Sequence, residues 1–373
     1  MFRALVFLFS IVVSGSLMAQ EWMYIASRAD EKVYRCVLNA ETGEMTDLQT
    51  AADEIRSEFF AHHPTLPVLY VGMTDNELKR QGKPHAGISA YQVDAKTGAL
   101  SPLATANTND NGNTHIAISS DGRTILAVSY GGDGTRSLRI DEKGILVTGS
   151  GQNIAHEGSS VHERQKTHHP HGSAIHQDGK FCCVADLGNE HIEIYSIDAD
   201  SNIAKHSRWK AADGAGPRHV TFHPNGKWLY CINELNGTID LLNFDATAGE
   251  LAHLQTVSTL PKDFQGKNTT AEIVIHPSGK FAYGSNRGHD STAVYSINPD
   301  SGELNLVEHE PTGGEHPRFV GLNTDGTIFI AANMHSDNMV SFFVDQETGA
   351  LNPTGHKIDV NEPRGVGFVP KIE

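Results

Sequence analysis

A unit of about fifty residues recurs along this chain and limits what it can fold into. Five stretches align: "HIAISSDGRTILAVS" (115–129), "HGSAIHQDGKFCCVAD" (171–186), "HVTFHPNGKWLYCIN" (219–233), "EIVIHPSGKFAYGSN" (272–286) and "FVGLNTDGTIFIAAN" (319–333). Each reads as an apolar strand, a tight turn ending in glycine, a second apolar strand and a small polar residue. The turn glycines Gly122, Gly179, Gly226, Gly279 and Gly326 are spaced 57, 47, 53 and 47 residues apart. A third strand follows most of them, as in "IDLLNFDATAGEL", so the unit is an antiparallel sheet of three or four strands. An earlier unit lies at "FFAHHPTLPVLYVGM" (59–73).

The ends of the chain settle the count. "RGVGFVP" (364–370) is a first strand with nothing after it, and "WMYIASRADEKVYRCVLNAETGEM" (22–45) is a second and third strand with nothing before them. Joined, they complete a seventh unit. Seven sheets with one shared between the termini predict an all-β, seven-bladed β-propeller over residues 20–373, because an open solenoid would cap its ends rather than split a repeat across them. No stretch predicts an amphipathic helix of three turns.

A repeat also separates architecture from what is left over. One register holds Ser129, Asp186, Asn233, Asn286 and Asn333, a recurring small polar residue of the strand-end or turn-forming kind. The next holds Tyr130, Leu187, Glu234, Arg287 and Met334, where Glu234 and Arg287 break the pattern. Eight residues before the turn glycine stand Thr114, His171, Arg218, Ala271 and Arg318, with Glu58 and Arg364 in the terminal units. Arg218 and Glu234 are equidistant from Gly226, so an antiparallel hairpin brings them together. A two-residue turn at Asn236-Gly237 is expected to hold Glu234 in place. The innermost strand of each propeller sheet lines the central channel, so these positions predict a ring of charged groups around one mouth.

The net charge is −16, which argues against a nucleic-acid partner, since phosphates require a basic face. Arginines gathered at one mouth of so acidic a chain point instead to a small anionic ligand. The competing reading is that each arginine only ties blades together. The 21 histidines, with His168, His169 and His171 close in sequence, raise a metal site, but no cysteine or carboxylate set completes the spacing, and neither metal nor cofactor is expected. Cys182, Cys183 and Cys231 read as buried thiols rather than disulfide partners. Residues 1–19, "MFRALVFLFSIVVSGSLMA", have the layout of a secretory signal. The expected mature protein is therefore exported, has no membrane span, and works as a monomer or weak oligomer; an uncleaved anchor is the alternative.

With these residues in place, "GAGPRHVTFHPNGKWLYCINELNGTIDL", "HPRFVGLNTDG" and "HGSAIHQDG" resemble the lactonase family of seven-bladed propellers. That family includes propeller-type 6-phosphogluconolactonases and carboxymuconate cyclases. The resemblance covers essentially the whole mature chain and implies a lactonase acting on a sugar-acid lactone. It implies His171, Arg218, Glu234 and Arg287 as catalytic groups. Arg318, Arg364, His169 and Asn233 are the expected substrate contacts. A base must prepare water and cations must meet the oxygen that gains charge: Glu234 or His171 can be the base, with His171 favoured for proton transfer and an ionised Glu234 for orienting the water, and Arg218 and Arg287 are the expected cations. A lactonising cyclase would use the same groups, and a non-catalytic binding propeller is the alternative from another class. The signal segment and the His-rich insert "HERQKTHHPH" (162–171) depart from the 6-phosphogluconolactonase pattern.

Overall fold

The computed structural model describes residues 20–371. The expected signal segment, 1–19, lies outside the described residues. The strands form seven four-stranded antiparallel sheets. The blades are numbered here by their inner strands: Arg56–His62 (one), His115–Ile118 (two), Pro170–Ile175 (three), Pro217–Phe222 (four), Thr269–Ile275 (five), Pro317–Leu322 (six) and Pro363–Pro370 (seven). In blade seven the C-terminal strand Pro363–Pro370 pairs with Gln20–Ser27, which pairs in turn with Lys32–Asn39. The expected split blade is thus present, and each blade has four strands, the larger of the two expected numbers.

The inner strands pack against one another all the way round, each on its two neighbours. Apolar alternation along the strands feeds seven hydrophobic clusters, one in every gap between neighbouring blades. Second strands lie between two blades and are buried on both faces, as in Trp228–Asn233 and Ile328–Asn333. The outermost strand of blade four, Glu250–Ser258, alternates toward solvent. All four cysteines are buried free thiols, as the apolar runs around them imply.

Part of the high histidine count is architecture. Nε2 of His176, His223 and His276, each just before a hairpin turn, donates to the turn-glycine carbonyl of the next blade: Gly226 (3.1 Å), Gly279 (2.8 Å) and Gly326 (3.0 Å). These glycines sit at φ of +72°, +72° and +77°, the left-handed region the tight turn demands. Among the described residues no group of three or more histidine, cysteine, aspartate or glutamate side chains is arranged to hold a metal.

One regular defect aims side chains into the channel. Pairing runs from Pro217↔Asn233 to His219↔Ile232 and so skips Arg218. The same slip skips His171 in blade three, Glu58 in blade one and Arg318 in blade six. Arg364 lies in the corresponding irregularity of blade seven. A bulge residue leaves the ladder and its side chain is re-aimed. Blade five slips at Ala271 too, so the varied register read from the sequence is a bulge position in every blade but the second, where Thr114 precedes a regular ladder.

Candidate active site at the channel mouth

Glu234 is the hub of one side of this mouth. Its Oε2 accepts from Arg218 Nε (2.9 Å), and its Oε1 faces Arg287 Nη2 (3.1 Å) and Arg164 Nη1 (2.5 Å). His171 Nε2 is 3.8 Å from Oε2. The sequence-predicted quartet His171, Arg218, Glu234 and Arg287 is brought together. The expected two-residue turn is corrected to a four-residue one, because Asn233 pairs with Thr238. The amides of Glu234 and Leu235 bond back to the carbonyls of Gly216 (2.7 Å) and Ala215 (2.9 Å), so the loop before the blade fixes Glu234.

Burial alone would raise the Glu234 carboxyl, but Arg287, Arg218 and Arg164 outweigh it and hold the group down to about 2. It is a carboxylate at any working pH. Burial, then the charge of Arg218, drives His171 well below the ordinary histidine value, so its imidazole is neutral. Its Nδ1 is buried with no hydrogen-bond partner among the described residues. Arg218 is 1% exposed and lies beneath the carboxylate, donating also to the Ala271 carbonyl. It holds Glu234 from behind rather than facing the cavity.

The cavity above has a volume of about 410 Å³. Arg164, Glu234, His171 and Arg287 line one end, and Glu58 with Arg28, Arg318 and Arg364 lines the other. Glu58 is a second carboxylate among three guanidiniums, at looser distances: 3.4 Å to Arg28, 3.5 Å to Arg318 and 3.8 Å to Arg364. Arg56 and Lys79 bring the cationic side chains on the wall to seven against two carboxylates. Burial, and next the charge of Arg318, lowers Arg364 to about 10.

Two of the sequence-predicted contacts fall elsewhere. Asn233 is fully buried, and its Nδ2 donates to Thr238 Oγ1 (2.9 Å) and Asp240 Oδ2 (2.8 Å) inside the blade. It presents nothing to the cavity, as befits a residue type that recurs at that register. His169 stacks on Tyr130 (ring centroids 4.3 Å, 8° between planes) and donates from Nδ1 to the Tyr130 carbonyl (2.8 Å), so it acts on a wall residue.

Three groups escaped the sequence reading. Arg164 comes from the His-rich insert, which has no repeat counterpart to compare. Tyr130 stands at the register of Glu234 and Arg287, and that shared register was the available signal. Arg28 follows Gln20–Ser27 at the same register in the blade split across the termini.

The sequence profile of "Lactonase, 7-bladed beta-propeller" matches residues 22–368. The chain is 31% identical over 343 residues to the 6-phosphogluconolactonase of Bacillus subtilis, covering 92% of this chain and 95% of that protein. It is 32% identical over 360 residues to the 6-phosphogluconolactonase of Formosa agariphila, covering 91% and 97%. Among solved structures, the periplasmic gluconolactonase of Pseudomonas aeruginosa superposes with a TM-score of 0.86 at 24% identity, over 94% of this chain and 99% of that one. A putative 6-phosphogluconolactonase of Bacteroides fragilis gives 0.82 at 26%, over 94% and 98%. With its blades, its split closure and this match over nearly all of its length, the chain belongs to the lactonase family of seven-bladed β-propellers.

Proposed function

We propose that this protein is a lactonase that hydrolyses a phosphorylated sugar-acid lactone, of the 6-phosphogluconolactone type, at the charged channel mouth. The observation that carries the reading is an ionised Glu234 among three guanidiniums, beside a neutral His171, in a cavity rich in cations. Water held by Glu234 adds to the lactone carbonyl as His171 takes its proton; the tetrahedral adduct then collapses with cleavage of the ring C–O bond, and the imidazolium returns the proton to the departing ring oxygen. The imidazolium so formed is stabilised by the carboxylate nearby. Arg287 and Arg164 stand where the carbonyl oxygen gains charge, an arrangement that acts most strongly where water is excluded. A distal phosphate fits the loose end, where Arg28, Arg318 and Arg364 gather around Glu58 and only Arg364 has a second carboxylate nearby, Glu362.

The 6-phosphogluconolactonase relatives support the substrate class. Export, with residues 1–19 as a cleaved signal, and action as a monomer or weak oligomer belong to the same proposal; among the described residues no helix is long and apolar enough to cross a membrane. The test is acid release from 6-phosphoglucono-δ-lactone, gluconolactone and a muconolactone by the purified protein. Turnover of the first above the other two supports the reading. Hydrolysis of all three at the buffer rate sinks it.

A further inference from the structure

The insert before blade three is a built element. One buried carboxylate, Asp186, staples the segment 156–169 that carries it at both ends: Oδ2 meets His156 Nδ1 (2.7 Å), and Oδ1 accepts from the amide of His169 (2.7 Å). Between these points Gln165 is fully buried, donates to the Leu187 carbonyl (2.8 Å) and accepts from the His162 amide (3.0 Å). Gly188 lets the insert lie on blade three, since a Cβ there would stand 1.9 Å from the Thr167 carbonyl oxygen. The residue so delivered to the mouth is Arg164.

Arg164 bridges two groups: Nη1 to Glu234 and Nη2 to the Tyr130 hydroxyl (3.0 Å). A guanidinium can only donate, so the Tyr130 oxygen is the acceptor in that bond. The phenolic hydrogen is thereby turned away from Arg164. Among the described residues no acceptor takes it, and the phenol lines the cavity at a ring-centroid distance of 5.3 Å from His171. Stacking on His169 fixes the ring plane.

We propose that Tyr130 is a substrate-contacting hydrogen-bond donor, directed at the lactone oxygen that gains charge as water adds, and that the Asp186-stapled insert exists to set it through Arg164. Asp186 and His156 are positioning residues in this scheme. The inference rests on the lactonase reading for its reaction, but its geometry stands on the insert alone.

Tyr130→Phe removes one oxygen and keeps the stack. It is expected to lower kcat about 10- to 100-fold, short of or up to the loss seen for an oxyanion donor, with an unchanged thermal midpoint. Arg164→Met is expected to lower kcat as well, and the double variant to be no worse than the lower single one within about threefold, as coupled groups behave. His156→Gln should reduce kcat in the wild-type background and leave it unchanged in the Arg164→Met background, a dependence that a general folding defect would not show. Wild-type kcat in Tyr130→Phe, or fully multiplicative losses in the double variant, overturns the proposal. Failure of the lactonase reading looks different, as no turnover by the wild type. Calorimetric binding of 6-phosphogluconate then decides, with equal affinity of wild type and Tyr130→Phe counting against the proposal and a tenfold weaker variant supporting it.

Discussion

Arg218, skipped by the ladder at the start of one strand, donates from Nε to Glu234 Oε2 over 2.9 Å, and both side chains are buried beneath the channel mouth. Glu234 also holds Arg287 and Arg164, so loss of Arg218 leaves its charge only partly uncompensated, short of the about 3–5 kcal/mol that a lone buried partner costs. Arg218→Met should therefore lower the unfolding free energy by about 1–3 kcal/mol as well as lowering turnover, because Glu234 loses the cation behind it. Denaturant unfolding reads the first effect and acid release the second; a variant as stable as wild type would contradict the burial argument.

Asn233 provides the contrast. Its amide works inside blade four, where Thr238 and Asp240 accept from it. Asn233→Ala should cost roughly 1–3 kcal/mol in stability, the penalty for unpaired buried partners, and leave kcat/KM of the folded protein within about twofold of wild type. A selective rise in KM would restore Asn233 to the substrate's surroundings.

The repeat was legible because a tight turn requires glycine and strand burial requires apolar runs, so each blade carries the same marks in sequence. Equal spacing from Gly226 was enough to join Arg218 to Glu234. Asn233 was misplaced by its neighbour's company: recurrence of a small polar residue at that register already pointed to structure. Arg164 was hidden for the opposite reason, since a loop with no counterpart in other blades has no register to compare, and its reach to Glu234 depends on the Asp186 staple. The skipped pairings that aim Glu58, His171, Arg218 and Arg318 into the channel leave only a preceding proline as a trace, and Glu58 lacks even that.

The loose end of the cavity predicts where phosphate is read. Arg318→Gln or Arg364→Gln should raise KM for 6-phosphoglucono-δ-lactone about tenfold or more, in keeping with loss of a charge-assisted hydrogen bond worth roughly 1.5–3 kcal/mol. KM for unphosphorylated gluconolactone should barely move. Equal effects on both substrates would place the phosphate elsewhere.

Activity should lack a histidine limb. Glu234 is ionised down to about pH 2, and His171 is neutral well below its ordinary value. After correction for spontaneous lactone opening, kcat/KM is predicted to stay flat through the region near pH 6.5 where an unperturbed histidine titrates. A fall centred there, beyond the substrate phosphate's own titration at about pH 6, would show that His171 is not held neutral by burial and Arg218.

Stability has a definite pH window. His115, His171 and His219 have folded values depressed below 6.5, burial being the main cause, with His115 at about 3. The unfolded chain binds protons at these sites first, so their contribution is complete above about pH 6.5 and is lost as pH falls through it. Glu234, depressed to about 2, adds a loss below about 4.5. Glu272 and Glu190, both raised by burial to about 7, have the opposite sign and favour the fold at low pH, but His316, lowered by burial to about 3, and the lowered His62, His63, His276 and His309 add to the histidine side. The thermal midpoint should therefore drop steadily from pH 7 to pH 4, and a constant midpoint would contradict the buried neutral histidines.

The most direct measurement is acid release from 6-phosphoglucono-δ-lactone by wild type and Glu234→Gln, with the β-sheet circular dichroism of both recorded at the assay temperature. Wild type is predicted to exceed the buffer rate, and a folded Glu234→Gln to lose at least about 100-fold in kcat, the lower range for a lost general-base or water-orienting group. A folded Glu234→Gln that turns over like wild type would remove Glu234 from the chemistry and contradict the account.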